Sequence, residues 1–176
     1  MNSSPPKHLL HGADAAAPFD SREFRDALGR FATGVAVVTA ISPAGEPLGL
    51  TISSFNSVSL TPPLVLWSLM QTSASLEAFR AVGHFAVNVL SAEQQPLAEQ
   101  FARRGADRWA GVAHAPGPSG TPLLDGAIAT FECRSHSHLD AGDHVIFLGE
   151  VLHCTHRTGV PPLLYHGGRF YTEHPL

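Results

Sequence analysis

Apolar and polar positions along the chain change rhythm several times, and each change marks an element. Ser21 stands ahead of Phe24, Leu28 and Phe31, and this spacing predicts a short amphipathic helix with Ser21 as its N-cap. Residues 35–41 form an unbroken, β-branched apolar run, which predicts a well-buried strand. Ser42-Pro43-Ala44-Gly45 is a turn, and residues 47–53 return as a second strand to make a hairpin. A short extended stretch, 58–60, is stopped by Pro62-Pro63, and 64–69 is the next strand. Ser73 or Ser75 caps a short helix that runs to Val82, and 85–90 is again a strand. Ser91 with Gln94 has the spacing of a capping box, ahead of a helix that puts Leu97, Ala98 and Phe101 on one face. Residues 102–125 are rich in Gly, Pro and Arg and read mostly as loop. Residues 127–139 and 145–153 predict long strands around Ala141-Gly142-Asp143. Residues 163–165 are expected to close the sheet, with Phe170-Tyr171 extending it.

Helices do not alternate regularly with these strands, so a doubly wound parallel sheet is disfavoured. A mainly β fold with peripheral α-helices, arranged as a small antiparallel barrel, fits the order better. The length of 176 residues suits one domain. Its expected extent is 19–176, after a loose tail at 1–18 that contains Pro5 and Pro6 and lacks the pattern of a signal peptide. Charged residues make up 15% of the chain, below the usual quarter or so of soluble domains. That shortage of polar cover points to a buried subunit interface. The net charge of -4, with no long basic run, speaks against nucleic acid as a partner. No apolar run approaches the roughly 20 residues of a membrane span. Cys133 and Cys154 make no disulfide framework, and a cytoplasmic location is expected.

Candidate chemistry is spread over four places. No G-x-G-x-x-G follows a strand, since Gly29 and Gly34 have the wrong spacing, and no phosphate loop is present. Thr51-Ile52-Ser53-Ser54-Phe55-Asn56-Ser57 carries five polar side chains among seven residues. Such hydroxyls can bind a polar ring edge, a polyol or a phosphate without a buried charge; they can equally bond their own backbone. Gln71 to Ser75 groups further hydroxyls at an expected helix start, suited either to a phosphate or to plain N-capping. His136 and His138 share one side of a predicted strand and could ligate a metal with His153 or His156, or be ordinary exposed histidines. Asp143 can orient His144 at a turn, although no G-x-S-x-G elbow supplies a nucleophile for a hydrolytic triad.

Several segments, taken in order, carry a more specific signal. These are Phe31-Ala32-Thr33-Gly34-Val35, Gly49-Leu50-Thr51-Ile52-Ser53-Ser54-Phe55, Pro62-Pro63-Leu64-Val65, Phe85-Ala86-Val87-Asn88-Val89-Leu90, Gly142-Asp143-His144 and Pro162-Leu163-Leu164-Tyr165. From Phe24 to Tyr171 the chain resembles the short-chain flavin reductases, the reductase components of two-component flavin monooxygenases.

That resemblance implies a flavin-binding split β-barrel of Greek-key-like antiparallel strands, usually a homodimer, and no metal. It implies a reaction in which NADH, or alternatively NADPH, reduces FMN or FAD for release to a partner monooxygenase. It places Pro47, Leu48, Gly49, Leu50, Thr51, Ser53 and Ser54 in a flavin-binding hairpin. Ser68, Leu69 and Met70 then line the flavin ring, Ala74 and Ser75 receive the ribityl phosphate, and Phe101 packs nearby. His144 becomes the nicotinamide-side catalytic residue, with His166, Gly167, Gly168 and Arg169 as a second dinucleotide stretch. Many relatives carry a basic residue where this chain has none, between Met70 and Glu77, so amides, hydroxyls or a distant Arg103 or Arg104 must meet the phosphate charge. Three other readings share these residues: a non-catalytic flavin-binding or storage module, an oxidase of the pyridoxamine-phosphate type, and a metal enzyme built on His136 and His138.

Overall fold

The computed structural model describes residues 19–105 and 107–174, and the expected tail at 1–18 lies outside the described residues. Helix α1 spans Ser21–Leu28. Its N-cap is Asp20 rather than Ser21: the carboxylate accepts from the Arg22 and Glu23 amides at 2.8 Å, and Glu23 reaches back to the Asp20 amide. A carboxylate satisfies two orphan amides and also complements the positive helix end, so it takes the cap from the neighbouring hydroxyl.

Strands β1 (Thr33–Gly34), β2 (Ala36–Ile41) and β3 (Pro47–Ile52) follow, and β2 and β3 form the expected hairpin. Next come β4 (Asn56–Leu60), β5 (Pro63–Met70), the short helix α2 (Leu76–Ala81) and β6 (His84–Val89). The Ser91–Gln94 capping box forms as the spacing predicts, on a 3-10 turn that leads into α3 (Gln95–Ala102). The stretch read as loop contains a small hairpin, β7 (His114–Pro116) with β8 (Pro122–Leu124). Distant groups hold it: buried Thr39 donates to the Pro122 carbonyl, and buried Asn88 accepts from the Leu124 amide. Those partners lie far away in the chain, which is why Gly and Pro content alone pointed to loop.

Two 13-residue strands, β9 (Ala129–Ala141) and β10 (His144–His156), form the central hairpin, followed by β11 (Leu164–His166) and β12 (Arg169–Tyr171). Seven strands make one antiparallel sheet in the order β3-β2-β6-β9-β10-β5-β4. Side chains from edge strand β3 (Leu50, Ile52) share a core with Trp67 of β5 and Phe147 of β10, so the sheet curls into a barrel. Leu76 and Phe79 of α2 plug it. Trp67 stacks on Phe147 at 4.5 Å and meets Phe79 and Phe85 edge-on.

Strand β2 is buried on both faces. Ala36, Val38 and Ala40 face the barrel, while Val37 joins Ala98 and Phe101 of α3 in a second core outside it. This is why its sequence does not alternate. The expected closure of the sheet by 163–165 does not occur. Instead β11 joins β1 and β12 in a separate three-stranded sheet, and Leu163 is buried in the outer core, its amide and carbonyl tied to Leu90 and Val35.

Gly49 of β3 is the point at which α3 meets the barrel. A Cβ there would overlap the Phe101 ring and lie 3.2 Å from Trp109. Overpacking of this kind costs about 1–3 kcal/mol, so Gly49→Ala is expected to lower Tm by roughly 3–10 °C in a thermal melt. An unchanged Tm would contradict this packing.

Candidate active site

The cleft is built where strand ends meet. In the β5–β10 ladder His144 pairs with Met70, so the end of β5 and the start of β10 share one rim. The link leaving β3, the turn after β5 and the loop after α3 complete a cleft of about 530 Å³. Of the residues singled out in sequence, Leu50, Thr51, Ser53, Ser54, Ser68, Leu69, Met70, Ala74, Phe101 and His144 all line it. Pro47, Leu48, Gly49 and Ser75 do not. Gly49 lies instead beneath Phe101, and Ser75 precedes a helix of only six residues without making a side-chain cap. His166, Gly167, Gly168 and Arg169 also stay off the cleft wall; their hairpin bonds back to the end of α1 through Gly167 N–H and the Gly29 carbonyl at 3.0 Å.

The hydroxyls divide into two kinds. Thr51 donates to the Ala98 carbonyl at 2.6 Å, which ties β3 to α3. The Ser54 hydroxyl accepts from the Ser68 amide at 3.0 Å and donates to the Ser68 carbonyl at 3.2 Å, bridging the gap between β3 and β5. These two side chains serve the scaffold. The hydroxyls of Ser53, Ser68 and Thr72 make no hydrogen bond to any other described residue, so they are available to a ligand in the cleft.

His144 is partly exposed, and its Nδ1 lies 2.7 Å from Asp143 Oδ1. The hydrogen bond and the neighbouring imidazole hold the Asp143 carboxyl below the usual carboxylate range. With Nδ1 engaged, Nε2 is the ring nitrogen left for another partner. The turn itself is fixed by Gln71, whose backbone amide donates to the Asp143 carbonyl at 2.9 Å and whose side chain donates to the Gly142 carbonyl at 3.1 Å.

The cleft wall also holds Ile52 of the hydroxyl-rich segment and Thr72 and Ser73 of the 71–75 group, whereas sequence reasoning missed Ala102, Gly105 and Arg108 and offers Arg104 only as a distant source of charge. The signal for the arginines is their clustering around Gly105 just after α3, in a stretch that reads as loop. His136 and His138 are exposed and border a smaller hollow of about 160 Å³. No group of three metal-ligating side chains gathers among the described residues. Cys133 and Cys154 are unpaired, and burial together with nearby Glu132 pushes the Cys133 thiol up to about 12, so it stays protonated and inert. Among the described residues no helix is long and apolar enough to cross a membrane.

Comparison with known proteins agrees with this geometry. An FMN reductase (NADH) of Agrobacterium fabrum is 49% identical over 151 residues, covering 86% of this chain and 85% of its own. The reductase component of a flavin-dependent trigonelline monooxygenase from Acinetobacter baylyi is 44% identical over 86% of this chain, which spans about half (48%) of that longer relative. The NADH:FAD oxidoreductase of Streptomyces globisporus, solved with NAD and FAD fragments, superposes with a TM-score of 0.84 at 40% identity, covering 93% of this chain and 98% of that one. Residues 28–174 match the flavin reductase like domain, and the chain belongs to that family.

Proposed function

We propose that this chain is an NADH:flavin oxidoreductase that reduces FMN or FAD and hands the reduced flavin to a separate monooxygenase component. The observation that carries the reading is the hydroxyl-lined cleft with His144 on its rim, in a family of flavin reductases. Its volume of about 530 Å³ sits inside the range of about 300–1,000 Å³ typical of pockets for ligands of this size. Ser53, Ser68 and Thr72 keep hydroxyls available, and Leu50, Leu69 and Phe101 offer apolar surface, so the residues present fit a flavin.

Hydride transfer from nicotinamide to flavin is chemistry that the two bound groups supply. The protein's part is to bind them side by side and exclude other geometries. Leu50, Leu69, Met70 and Phe101 would hold the ring system, and the 53–54 link and Ser68 would bond its polar edge. His144, oriented by Asp143, would offer Nε2 to the nicotinamide and so position it. Because Asp143 is held below the ordinary carboxylate range, the hydrogen bond to its carboxylate is lost as pH falls through that depressed value.

A homodimer completes this reading. The described surface exposes Phe24, Leu28 and Phe31 around α1, Leu60 on edge strand β4 and Leu139 on β9, more apolar side chain than a lightly charged monomer covers well. Two unpaired cysteines suit a reducing compartment, and we place the protein in the cytoplasm.

Purified protein mixed with NADH and excess FMN or FAD should oxidise NADH at 340 nm only when flavin is present. Flavin binding without turnover would instead support the storage module. His144→Ala is expected to lower kcat/KM for NADH about tenfold while leaving flavin Kd within about twofold, and Asp143→Asn to lower it about fivefold, the scale of one hydrogen bond. Equal losses in flavin affinity would remove the nicotinamide role. Sedimentation at micromolar concentration should give twice the mass of the 18.7 kDa chain, and a monomer there would rule out the dimer.

A further inference from the structure

Every residue from Ser68 to Ala74 lines the cleft except Gln71. Gln71 stands one residue beyond the β5–β10 ladder, which ends with Met70 opposite His144. From there its backbone amide donates to the Asp143 carbonyl at 2.9 Å, and its side-chain amide donates to the Gly142 carbonyl at 3.1 Å. Gly142 and Asp143 are the two loop residues of the β9–β10 hairpin, since Ala141 pairs with His144. Gly142 has a φ of +63°, the left-handed conformation with which a tight two-residue loop begins. The two turns that begin this way, I′ and II′, differ in the direction of the middle peptide. Here that peptide joins Gly142 to Asp143, and the Gln71 side chain holds its carbonyl.

Among the described residues no other group donates to the Gly142 carbonyl. The direction of the middle peptide decides where the Asp143 side chain departs from the turn. The Asp143 carboxylate then meets His144 Nδ1 at 2.7 Å. The Asp143 side chain is 87% exposed, so water competes for its oxygens. An exposed pair contributes little by itself, and the orientation of the imidazole therefore depends on how firmly the turn presents the carboxylate. The backbone bond from Gln71 survives any substitution at position 71, so the rim keeps its fold without the side chain. What the side chain adds is the direction of one peptide.

We propose that Gln71 is a positioning residue for the reaction: its side chain fixes the Gly142–Asp143 peptide, so that Asp143 presents the His144 imidazole to the nicotinamide. Gln71 acts through His144 without lining the cleft. The inference rests on the flavin reading above.

The test is a double-mutant cycle in the full-length protein, read as kcat/KM for NADH, with flavin Kd and Tm measured alongside. Gln71→Ala should lower kcat/KM for NADH about threefold, the scale of one exposed hydrogen bond. Flavin Kd should stay within about twofold and Tm within about 2 °C, as for an ordinary surface substitution. Gln71→Glu, of nearly the same shape but with no N–H to donate, should lose at least as much, and it carries the test if Gln71→Ala does not fold. Gln71→Lys, which restores a donor, should recover part of the loss. In a His144→Ala background Gln71→Ala should have no further effect, because the imidazole through which it acts is gone. Additive losses would overturn the proposal, and so would wild-type kcat/KM in both Gln71→Ala and Gln71→Glu. A parallel loss of flavin affinity would overturn it too, by making Gln71 part of the flavin wall. Imidazole 15N NMR gives a readout that needs no turnover: the Nδ1 signal of His144 should shift away from its hydrogen-bonded position in Gln71→Ala, and an unmoved signal overturns the positioning role. A wild type that shows this NMR response but no flavin-dependent oxidation of NADH overturns the flavin reading instead.

Discussion

The Phe101 ring occupies the space that a side chain at position 49 would need, and the architecture of the cleft depends on that close approach. It lets α3 lie directly on β3. Once there, the helix is fastened by the Thr51 hydroxyl on the Ala98 carbonyl and, through the following loop, by Arg108 on the Gly49 carbonyl. Trp109 meets Phe101 edge-on at 5.1 Å and closes the outer side of the contact. Strand, helix and arginine loop therefore behave as one wall. A glycine that invites assignment to ligand binding serves by having no side chain, so that an aromatic ring can take the position.

The opposite wall is set by the barrel interior. Trp67 is fully buried, stacks on Phe147, and so holds β5 and β10 in register from within. That register brings His144 opposite Met70 and delivers the imidazole to the rim. Gln71 then clamps the Gly142–Asp143 turn, and Asp143 orients the ring. Each step removes rotational freedom before any ligand arrives.

The division of labour among hydroxyls follows from the split in the barrel. Where the chain crosses from β3 to β4 the sheet is unpaired, and Ser54 bridges to the backbone of Ser68 across that gap. Ser53, Ser68 and Thr72 stay available on the cleft side. A wall made of neutral donors and acceptors binds a polar ligand without a large desolvation cost. The fixed positive charge comes from one loop.

Much of this was legible in the residues themselves. The strand at 35–41, the hairpin after it, the Ser91–Gln94 capping box and the long hairpin around Gly142 come from local periodicity and turn chemistry, which neighbouring residues determine. Ten of the residues singled out for the site do meet in one cleft, because they lie at strand ends and turns whose types the pattern predicts. Only the tertiary structure decided the rest. Asp20 displaced Ser21 as the cap because it makes two bonds where a hydroxyl would make fewer. The β7–β8 hairpin forms because Thr39 and Asn88, distant in sequence, supply its anchors. The 163–165 strand left the main sheet for the β1–β12 sheet, and Arg108 became a cleft residue through a carbonyl 59 positions away. Local elements are written in adjacent residues, whereas which distant surfaces meet depends on long-range packing that no short window of sequence contains.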